Sequence, residues 1–294
     1  MRYIDEFILD RINSKKNRLE TMLLEKETLE KIITEIQVKY IYSSNAIEGS
    51  SLGLDQVHRI IESGHDYLGK SPYYQHLTTN QCNAFGYIKR NARNSITIQD
   101  VLELHSIIMK NIQRETGCFR DHDTGNRIHE KMENFLDTLS LSEEYHAIEK
   151  SAIIQGYFHQ VRPFNYGTGI IARLLAKWML NQHGYLLGID LNKHEIKYYR
   201  RCAERAGKGI LYPLVNMMST CVEDTLDHLL VKIRSHNIIP VEDAMRINHL
   251  DRSQMIEGIR RGEFKAYRKN GSIYVVNKAT EKISHGAQIL ELII

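Results

Sequence analysis

The run from Phe158 to Met179, FHQVRPFNYGTGIIARLLAKWM, constrains the fold of this chain more than any other stretch. At its centre lies a turn punctuated by Gly167 and Gly169, and from Ile170 onward the residues predict an almost wholly apolar helix. A helix that starts from such a turn points free backbone N–H groups outward and adds the positive end of its dipole. The stretch therefore predicts an anion site, although a tight connection into a helix explains the same glycines.

Arg173 stands in the first turn of this predicted helix, where most of its neighbours are apolar. A guanidinium that is buried there needs an anionic partner, either from a ligand or from the protein. Glu48 is one candidate, because it stands directly before Gly49, which is typical of the C-cap of a helix. Its carboxylate opposes the dipole of that helix and so favours a cationic partner. A solvated helix end is the alternative for Glu48.

The run RPFNYGTGIIAR resembles the signature of Fic (Fido) domains, His-Pro-Phe-x-(Asp/Glu)-Gly-Asn-Gly-Arg-x-x-Arg. Five positions match the signature: Pro163, Phe164, Gly167, Gly169 and Arg173. Four positions depart from it: Arg162 replaces the histidine, Tyr166 the acid, Thr168 the asparagine and Ile170 the first arginine.

The resemblance extends beyond this run. Residues 98–105 and 117–120 resemble the lead-in of the family, L-x-x-L-H followed by G-x-[YF]-R. Further upstream, residues 43–49, SSNAIEG, resemble the inhibitory motif [Ser/Thr]-x-x-x-Glu-[Gly/Asn]. The positions that this motif assigns to inhibition are Ser44, Glu48 and Gly49. Together these elements span roughly residues 40–230 in a fixed order, which is more specific than any one of them.

The resemblance implies a mainly α-helical Fic-type domain with a small β-hairpin flap and a nucleotide site. In the family, AMP passes from ATP to a serine, threonine or tyrosine hydroxyl of a target protein, and the acid of the motif holds a magnesium ion. The positions that would bind the nucleotide here are Gly167, Thr168, Gly169 and Arg173. The inhibitory Glu48 would bind Arg173 and keep the terminal phosphate of the nucleotide out.

Each departure removes a chemical function. The guanidinium of Arg162 cannot accept the proton that the family's histidine takes, and such a base typically contributes ~10²–10⁴ in rate. The neutral phenol of Tyr166 is a poor magnesium ligand, and Ile170 offers no donor to a phosphate. His159 stands one helical turn before Arg162, which displaces it from the position of the base.

The sequence therefore predicts a Fic-fold protein that has lost catalysis and acts as a regulatory or partner-binding protein. The ATP and magnesium that the family uses are then not used productively. The alternative is an active nucleotidyl or phosphate-moiety transferase with different machinery.

The composition is that of an ordinary soluble protein, with 42% hydrophobic and 26% charged residues among 294. A net charge of +3 is too small to indicate nucleic-acid binding by the whole chain. Four scattered cysteines favour free thiols, and the spacing of His105, His122 and His129 predicts no metal site. The N-terminus lacks the apolar core of a signal peptide, and no run of about 18 apolar residues occurs, which favours a cytoplasmic protein.

Few prolines and many Leu, Ile, Glu and Lys residues predict a mainly helical chain. From Ser14 to Ile47 apolar residues recur at steps of three and four, with one break at Lys26. They predict an amphipathic helix in an N-terminal arm, residues 1–50; a two-helix or intersubunit seam, and with it a homodimer, is the alternative. Within a helical domain of residues 51–236, the sequence predicts helices over 54–63, 77–93, 98–114, 142–160, 192–206 and 213–234.

Residues 117–132 are polar and contain Asp123-Thr124-Gly125-Asn126, which is typical of a turn between extended segments. The resemblance implies that this region is the flap, which aligns a target protein by adding a strand. A purely structural loop is the alternative.

Helical periodicity lapses near residues 237–240, which predicts a small α+β unit over residues 240–294. In it a short helix, 252–262, precedes two strands joined across Asn270-Gly271, the pattern of a β-hairpin. This order resembles a winged helix of the excisionase type. Its candidates for contacts with DNA phosphates are Arg260, Arg261, Lys265, Arg268 and Lys269. A solvated basic face on a packing or dimerisation domain is the alternative.

Overall fold

The computed structural model describes residues 3–20, 23–24, 26–64, 66–120, 126–233, 238–269, 271–276 and 287–288. The helices are α1 (Glu6–Glu20), α2 (Lys26–Ile47), α3 (Leu54–Ser63), α4 (Pro72–Asn91), α5 (Ile98–Met109), α6 (Asn126–Leu141), α7 (Ala147–Val161), α8 (Thr168–Gln182), α9 (Lys193–Ala206), α10 (Tyr212–Ile233), α11 (Val241–Ile247) and α12 (Arg252–Arg260). The strands are β1 (Leu23–Leu24), β2 (Ile238–Pro240), β3 (Ala266–Lys269), β4 (Ser272–Val276) and β5 (Ala287–Gln288). The prediction of a mainly helical fold is confirmed.

Helix α8 lies at the centre of the fold. Its residues are apolar on nearly all faces, which is the pattern of a helix enclosed by other helices. It packs most extensively against α7, and α4 and α5 also contact it. Trp178 is fully buried, with its ring edge-on to that of Tyr87 at 5.9 Å between centroids. Because α8 is enclosed, the loop that leads into it has a fixed position.

One large hydrophobic core joins helices α1 to α10. Helix α10 packs against α1, α7 and α9, and α9 packs against α7. The arm of residues 1–50 contributes to the same core through Ile12, Leu29 and Ile41. In the part of the chain that the structure describes, no helix has both the length and the apolar character needed to cross a membrane.

The N-terminal arm contains two helices, so the single helix predicted for residues 14–47 is wrong. Helix α1 ends at Glu20 and α2 begins at Lys26, the residue at which the apolar register breaks. Between them, Leu23–Leu24 pairs antiparallel with Ala287–Gln288. Helix α1 packs on α10, whereas α2 packs on α3 and α4. One continuous helix cannot satisfy both sets of contacts.

The hairpin predicted for residues 117–132 is wrong in its second half, because α6 begins at Asn126. The turn itself, residues 121–125, lies outside the described residues. Helix α6 buries Ile128 and Met132, which stand four residues apart and so share one helix face. Burial of that face makes a helix more stable for these residues than an exposed strand.

Helix α7 begins at Ala147, so the predicted start at Ser142 is too early. Nδ1 of His146 accepts a hydrogen bond from the Ile148 N–H at 3.3 Å. The Glu149 carboxylate accepts one from the His146 N–H at 2.8 Å. This reciprocal capping fixes the start of the helix.

The C-terminal unit is built on an antiparallel sheet in the order β2-β4-β3. Ala244, Met255 and Val275 form a small core between this sheet and helices α11 and α12. Tyr267 and Val276 belong instead to the large core of the helical domain. The unit therefore has a core of its own and is also docked on the domain.

Lys177 is a buried cation on α8. Its ammonium donates to the Leu187 carbonyl at 3.2 Å and lies 5.6 Å and 5.1 Å from the ring centroids of Tyr40 and Phe85. Burial lowers the pKa of this amine from its ordinary value of 10.5 to about 8. The native state thus holds a poorly solvated charge at neutral pH.

This charge predicts a pH dependence of stability. Below pH 8 the amine is protonated in both states and the folded state is penalised; above 10.5 it is neutral in both and the penalty is gone. Relative to Lys177→Met, the wild type should therefore gain about 3 kcal/mol in free energy of unfolding between these pH values. Urea unfolding of both proteins across that range measures the gain. A difference that does not change with pH contradicts the prediction.

Candidate functional site

The loop of residues 162–169 connects α7 to α8 and has left-handed backbone near both ends. Arg162 has a φ of 47°, and its N–H donates to the Phe158 carbonyl at 2.9 Å. Gly167 has a φ of 76°, and a Cβ there would lie 2.3 Å from Cε of Met109. Only glycine fits at this position without displacing Met109.

His105 on α5 holds the loop in place. Its ring stacks on Phe164 with the centroids 3.9 Å apart, and its Nδ1 accepts from the Gly117 N–H at 3.0 Å. Burial lowers the pKa of His105 to about 4, although a hydrogen bond to the Tyr166 backbone opposes this shift. The ring is therefore neutral near pH 7 and connects α5, residue 117 and the loop.

Two further side chains fix the loop backbone. Nε of Arg120 donates to the Arg162 carbonyl at 2.7 Å, and its backbone N–H donates to the Pro163 carbonyl at 3.0 Å. The Thr168 hydroxyl donates to the Phe164 carbonyl at 3.0 Å and accepts from the Phe164 N–H at 3.3 Å. The loop keeps its course through the protein's own contacts.

Arg173 and Glu48 form an ion pair between the first turn of α8 and the end of α2. Nη2 of Arg173 lies 2.7 Å from Oε1 of Glu48. The same guanidinium donates to the Ser44 hydroxyl at 3.1 Å and to the Ser44 carbonyl at 3.3 Å. Arg173 is only 3% exposed. Burial alone lowers the pKa of the Arg173 guanidinium, but the Glu48 carboxylate outweighs it and the net shift is upward.

The Glu48 carboxylate lies over the start of α8. A Cβ built on Gly169 would be 3.0 Å from Oε1 of Glu48 and 3.4 Å from Nη1 of Arg173. The carboxylate is therefore next to the helix N-terminus, where backbone N–H groups and the dipole favour an anion. We call the loop of residues 162–169, the first turn of α8 and Arg173 the anion cradle. Glu48 fills it from within the chain.

A family model described as Fic, the Fic/DOC family, matches residues 95–180, which include α5, α6, α7, the loop and most of α8. The chain contains a Fic/DOC domain.

The Fic domain and its surroundings are similar to curated proteins named protein adenylyltransferase Fic. The chain is 26% identical to the one from Nematostella vectensis over 242 residues, which is 77% of this chain and 56% of the relative. It is 28% identical to the one from Drosophila melanogaster over 239 residues, which is 76% of this chain and 48% of the relative. The chain thus spans about half the length of these relatives.

Solved structures show the same fold. Fic-1 from C. elegans superposes with a TM-score of 0.71 at 24% identity, over 76% of this chain and 71% of that one. A Fic family protein from Desulfovibrio desulfuricans superposes with a TM-score of 0.62 at 19% identity, over 95% of this chain and 98% of that one. The second likeness therefore includes most of the C-terminal unit.

The four positions that depart from the Fic signature lie in different surroundings in the structure. Arg162 is exposed, and Tyr166 is 59% exposed. Ile170 is fully buried in the core, and the Thr168 hydroxyl is bonded within its own loop. Residues 162–169 include no carboxylate, and within the described ranges no three His, Cys, Asp or Glu side chains form a possible metal site. The loop does not fit a magnesium ion.

His159 stands three residues before Arg162, at the end of α7. Its Cβ lies 3.0 Å from a Cβ built on Gly207, so the side chain leaves α7 toward the end of α9. Burial lowers the pKa of His159, and the charges of Arg173 and Arg162 lower it further. The imidazole is held neutral beside α9.

Residues 43–49, which resemble the inhibitory motif, are bonded to other parts of the chain on several sides. The Ser43 hydroxyl accepts from the Leu191 N–H at 3.1 Å. Asn45 donates to the Thr78 hydroxyl at 2.7 Å and accepts from the Gln81 amide at 2.8 Å. Its partners stand 33 to 148 residues away along the chain, so no local sequence pattern indicates them.

Tyr199 on α9 supports Arg173 from inside the core. It is 2% exposed, and its hydroxyl donates to Oε1 of Gln155. Burial raises the pKa of Tyr199 to about 12, although the neighbouring Arg173 opposes this.

The C-terminal unit is connected to both α10 and α1. Arg268 donates three hydrogen bonds of 2.6 to 2.9 Å to the Asp224 carboxylate on α10. Arg18 on α1 donates to the hydroxyl of Tyr267. Arg268, a candidate for DNA contact, is thus engaged within the chain.

Two of the other basic candidates of this unit share one carboxylate on α12. Nε of Arg261 donates to Oε1 of Glu257 at 3.0 Å, and Arg260 lies 4.0 Å from the same carboxylate. Lys265 is exposed, and of Lys269 only the backbone in β3 is described. Glu257 offsets part of the positive charge on α12.

Proposed function

We propose that this protein is a Fic-fold protein without nucleotidyl transfer, whose anion cradle is closed by its own Glu48 and which serves as a regulatory or partner-binding protein. The observation that carries the proposal is the pair of Glu48 and Arg173 at 2.7 Å, next to a loop with Arg162 at the histidine position. The curated relatives named protein adenylyltransferase Fic support a site derived from one for ATP.

The residues present fit a phosphate but not a magnesium ion. A phosphate group in the cradle would meet the first N–H groups of α8 and the Arg173 guanidinium, once the Glu48 carboxylate has moved. ATP itself would supply the AMP group that the family transfers. Tyr166, which stands at the position of the metal ligand, presents a neutral phenol. A nucleotide is therefore a ligand of this site rather than a substrate.

Arg162 changes the chemistry at the entrance of the anion cradle. An arginine cannot take a proton from an incoming hydroxyl, but it provides a fixed positive charge. Beside the loop lies a cleft of about 390 Å³, lined by Arg114, Phe119, Asn165 and Tyr166 among others. This cleft supports a binding role toward a target protein at the place where the family holds its flap.

Labelled ATP tests the loss of catalysis. The wild-type protein, incubated with ATP labelled on the α-phosphate, magnesium and a cell lysate, is expected to transfer no label to itself or to any other protein. Gel autoradiography with an active Fic enzyme as positive control gives the reading. A labelled band that disappears with Arg173→Met establishes an active transferase with different machinery and rejects the proposal.

DNA binding by the C-terminal unit is a second candidate function. The observation that favours it is the order of α11, a turn at residues 248–251, α12 and the hairpin β3–β4, which matches a helix-turn-helix with a wing. The engagement of Arg268 by Asp224 weighs against a free basic wing. A salt-dependent mobility shift with mixed duplex DNA tests this function, and absence of a shift at low salt rejects it.

A further inference from the structure

Arg200 on α9 binds the backbone at the end of α2, directly before Glu48. Its Nε donates to the Ile47 carbonyl at 2.8 Å, and its Nη2 donates to the Ala46 carbonyl at 3.0 Å and to the Ile47 carbonyl. Carbonyls in the last turn of a helix carry the negative end of the dipole and have fewer backbone donors than those inside it; the Ala46 carbonyl also accepts from the Gly49 N–H at 3.1 Å. A guanidinium satisfies both needs at once.

Tyr74 on α4 holds the next carbonyl. Its hydroxyl donates to the Glu48 carbonyl at 2.9 Å. Gly49 follows with a φ of 100°, and a Cβ there would lie 3.3 Å from the Tyr74 hydroxyl. Three consecutive carbonyls, those of residues 46–48, are therefore bound by side chains from two helices that lie outside the anion cradle.

Helix α9 supports both members of the ion pair. The Tyr199 side chain is buried beside Arg173, and the next residue, Arg200, binds the backbone that presents Glu48. Asn192 caps the start of α9 by accepting from two backbone N–H groups, and Ile196 anchors the helix in the core. The two contacts are thus held in a fixed relation by one helix.

We propose that Arg200 is a positioning residue that sets how firmly Glu48 closes the anion cradle, so that loss of its contacts admits the phosphates of a nucleotide. That the excluded ligand is a nucleotide rests on the proposed function. That Arg200 fixes the backbone of residues 46 and 47 does not depend on it. Without Arg200 the Ile47 carbonyl turns to water and the Ala46 carbonyl keeps only the Gly49 N–H, so the end of α2 frays. Glu48 then leaves Arg173 more often.

Hydrogen exchange tests the hold directly. The N–H groups of Glu48, Gly49 and Ser50 donate to the carbonyls of Ser44, Ala46 and Asn45. In Arg200→Met their exchange should become roughly tenfold faster, since two or more hydrogen bonds to the segment are lost. Arg201→Met removes the same charge from the adjacent exposed position and should leave exchange as in the wild type. Unchanged exchange in Arg200→Met overturns the proposal.

Titration with ATP then tests the consequence. Arg200→Met is expected to show ATP binding that is not measurable in the wild type, with an affinity several-fold weaker than that of Glu48→Gly. The double variant should bind no more tightly than Glu48→Gly alone, because Arg200 acts through Glu48. If Glu48→Gly binds ATP and Arg200→Met resembles the wild type, the proposal is overturned. If neither variant binds ATP, the nucleotide site of the proposed function fails, and the exchange result still decides the role of Arg200.

Discussion

Restoring the Fic signature in an opened cradle is expected to create AMP transfer that the wild type lacks. The variant combines Arg162→His, Tyr166→Asp, Thr168→Asn and Ile170→Arg with Glu48→Gly. The contacts of His105 and Arg120 with the loop remain in this variant, and among the loop's fixing contacts only the two hydrogen bonds of the Thr168 hydroxyl to Phe164 are lost, so the new side chains should project as in an active enzyme. Transfer of labelled AMP from ATP with magnesium, to the protein itself or to a lysate target, measures the gain.

A control variant that keeps Arg162 and carries the other four substitutions isolates the effect of the histidine at position 162. Because a general base contributes ~10²–10⁴ in rate, the histidine should raise transfer by at least about 10² over this control. Ile170 is fully buried, so a second series without Ile170→Arg guards against unfolding, which circular dichroism checks. Equal labelling with and without the histidine means that position 162 does not carry the loss of activity.

Glu48→Gly should destabilise the protein and make its stability depend on anions. The substitution leaves the guanidinium of Arg173, which is 3% exposed, without its carboxylate partner, while the hydrogen bonds to Ser44 remain. Breaking a buried ion pair costs about 3–5 kcal/mol. The Glu48 side chain is 29% exposed, so we expect a cost somewhat below that range, about 2–3 kcal/mol. For a chain of this size the melting temperature falls by several degrees.

Inorganic phosphate should restore much of this loss by binding at Arg173. Thermal unfolding with increasing phosphate measures the recovery, which reaches about 2.7 kcal/mol at a hundred times the dissociation constant. Glu62→Gly, at an exposed position of α3, controls for the introduction of glycine and should show no specific response to phosphate. Equal phosphate effects in both variants rule out a vacated anion site.

The loop and α8 were predictable because their signals are local. Gly167 and the apolar run from Ile170 stand next to each other in the sequence and determine the turn and the buried helix. The burial of Arg173 follows from its apolar neighbours. Its partner Glu48 is 125 residues away; its position before Gly49 made it a candidate with a solvated helix end as the alternative, and the resemblance to the family favoured the pair.

Arg200 could not be assigned from the sequence. Its contact with Ile47 spans 153 residues and ends on a backbone carbonyl, so no residue type on the other side marks it. The same holds for Tyr74, which binds the Glu48 carbonyl. Contacts of a side chain with a distant backbone appear only when the helices are packed.

Helix α6 was missed because two signals overlap. The turn residues 123–126 lead directly into Ile128 and Met132, whose spacing of four is helical. The interpretation of residues 117–132 as a flap relied on the turn residues and did not use the helical spacing of Ile128 and Met132. The error at α1 and α2 was different. The break in the apolar spacing at Lys26 was visible in the sequence, and it marks the start of a second helix rather than an irregularity within one helix.

The central claim is that Glu48 keeps a nucleotide site closed, and ATP titration of the wild type and of Glu48→Gly by calorimetry tests it most directly. The account predicts no measurable binding to the wild type and clear binding to Glu48→Gly, with an affinity at least about tenfold higher. If the wild type binds ATP as tightly as Glu48→Gly, or if Glu48→Gly folds and binds no ATP, the pair of Glu48 and Arg173 does not guard a nucleotide site.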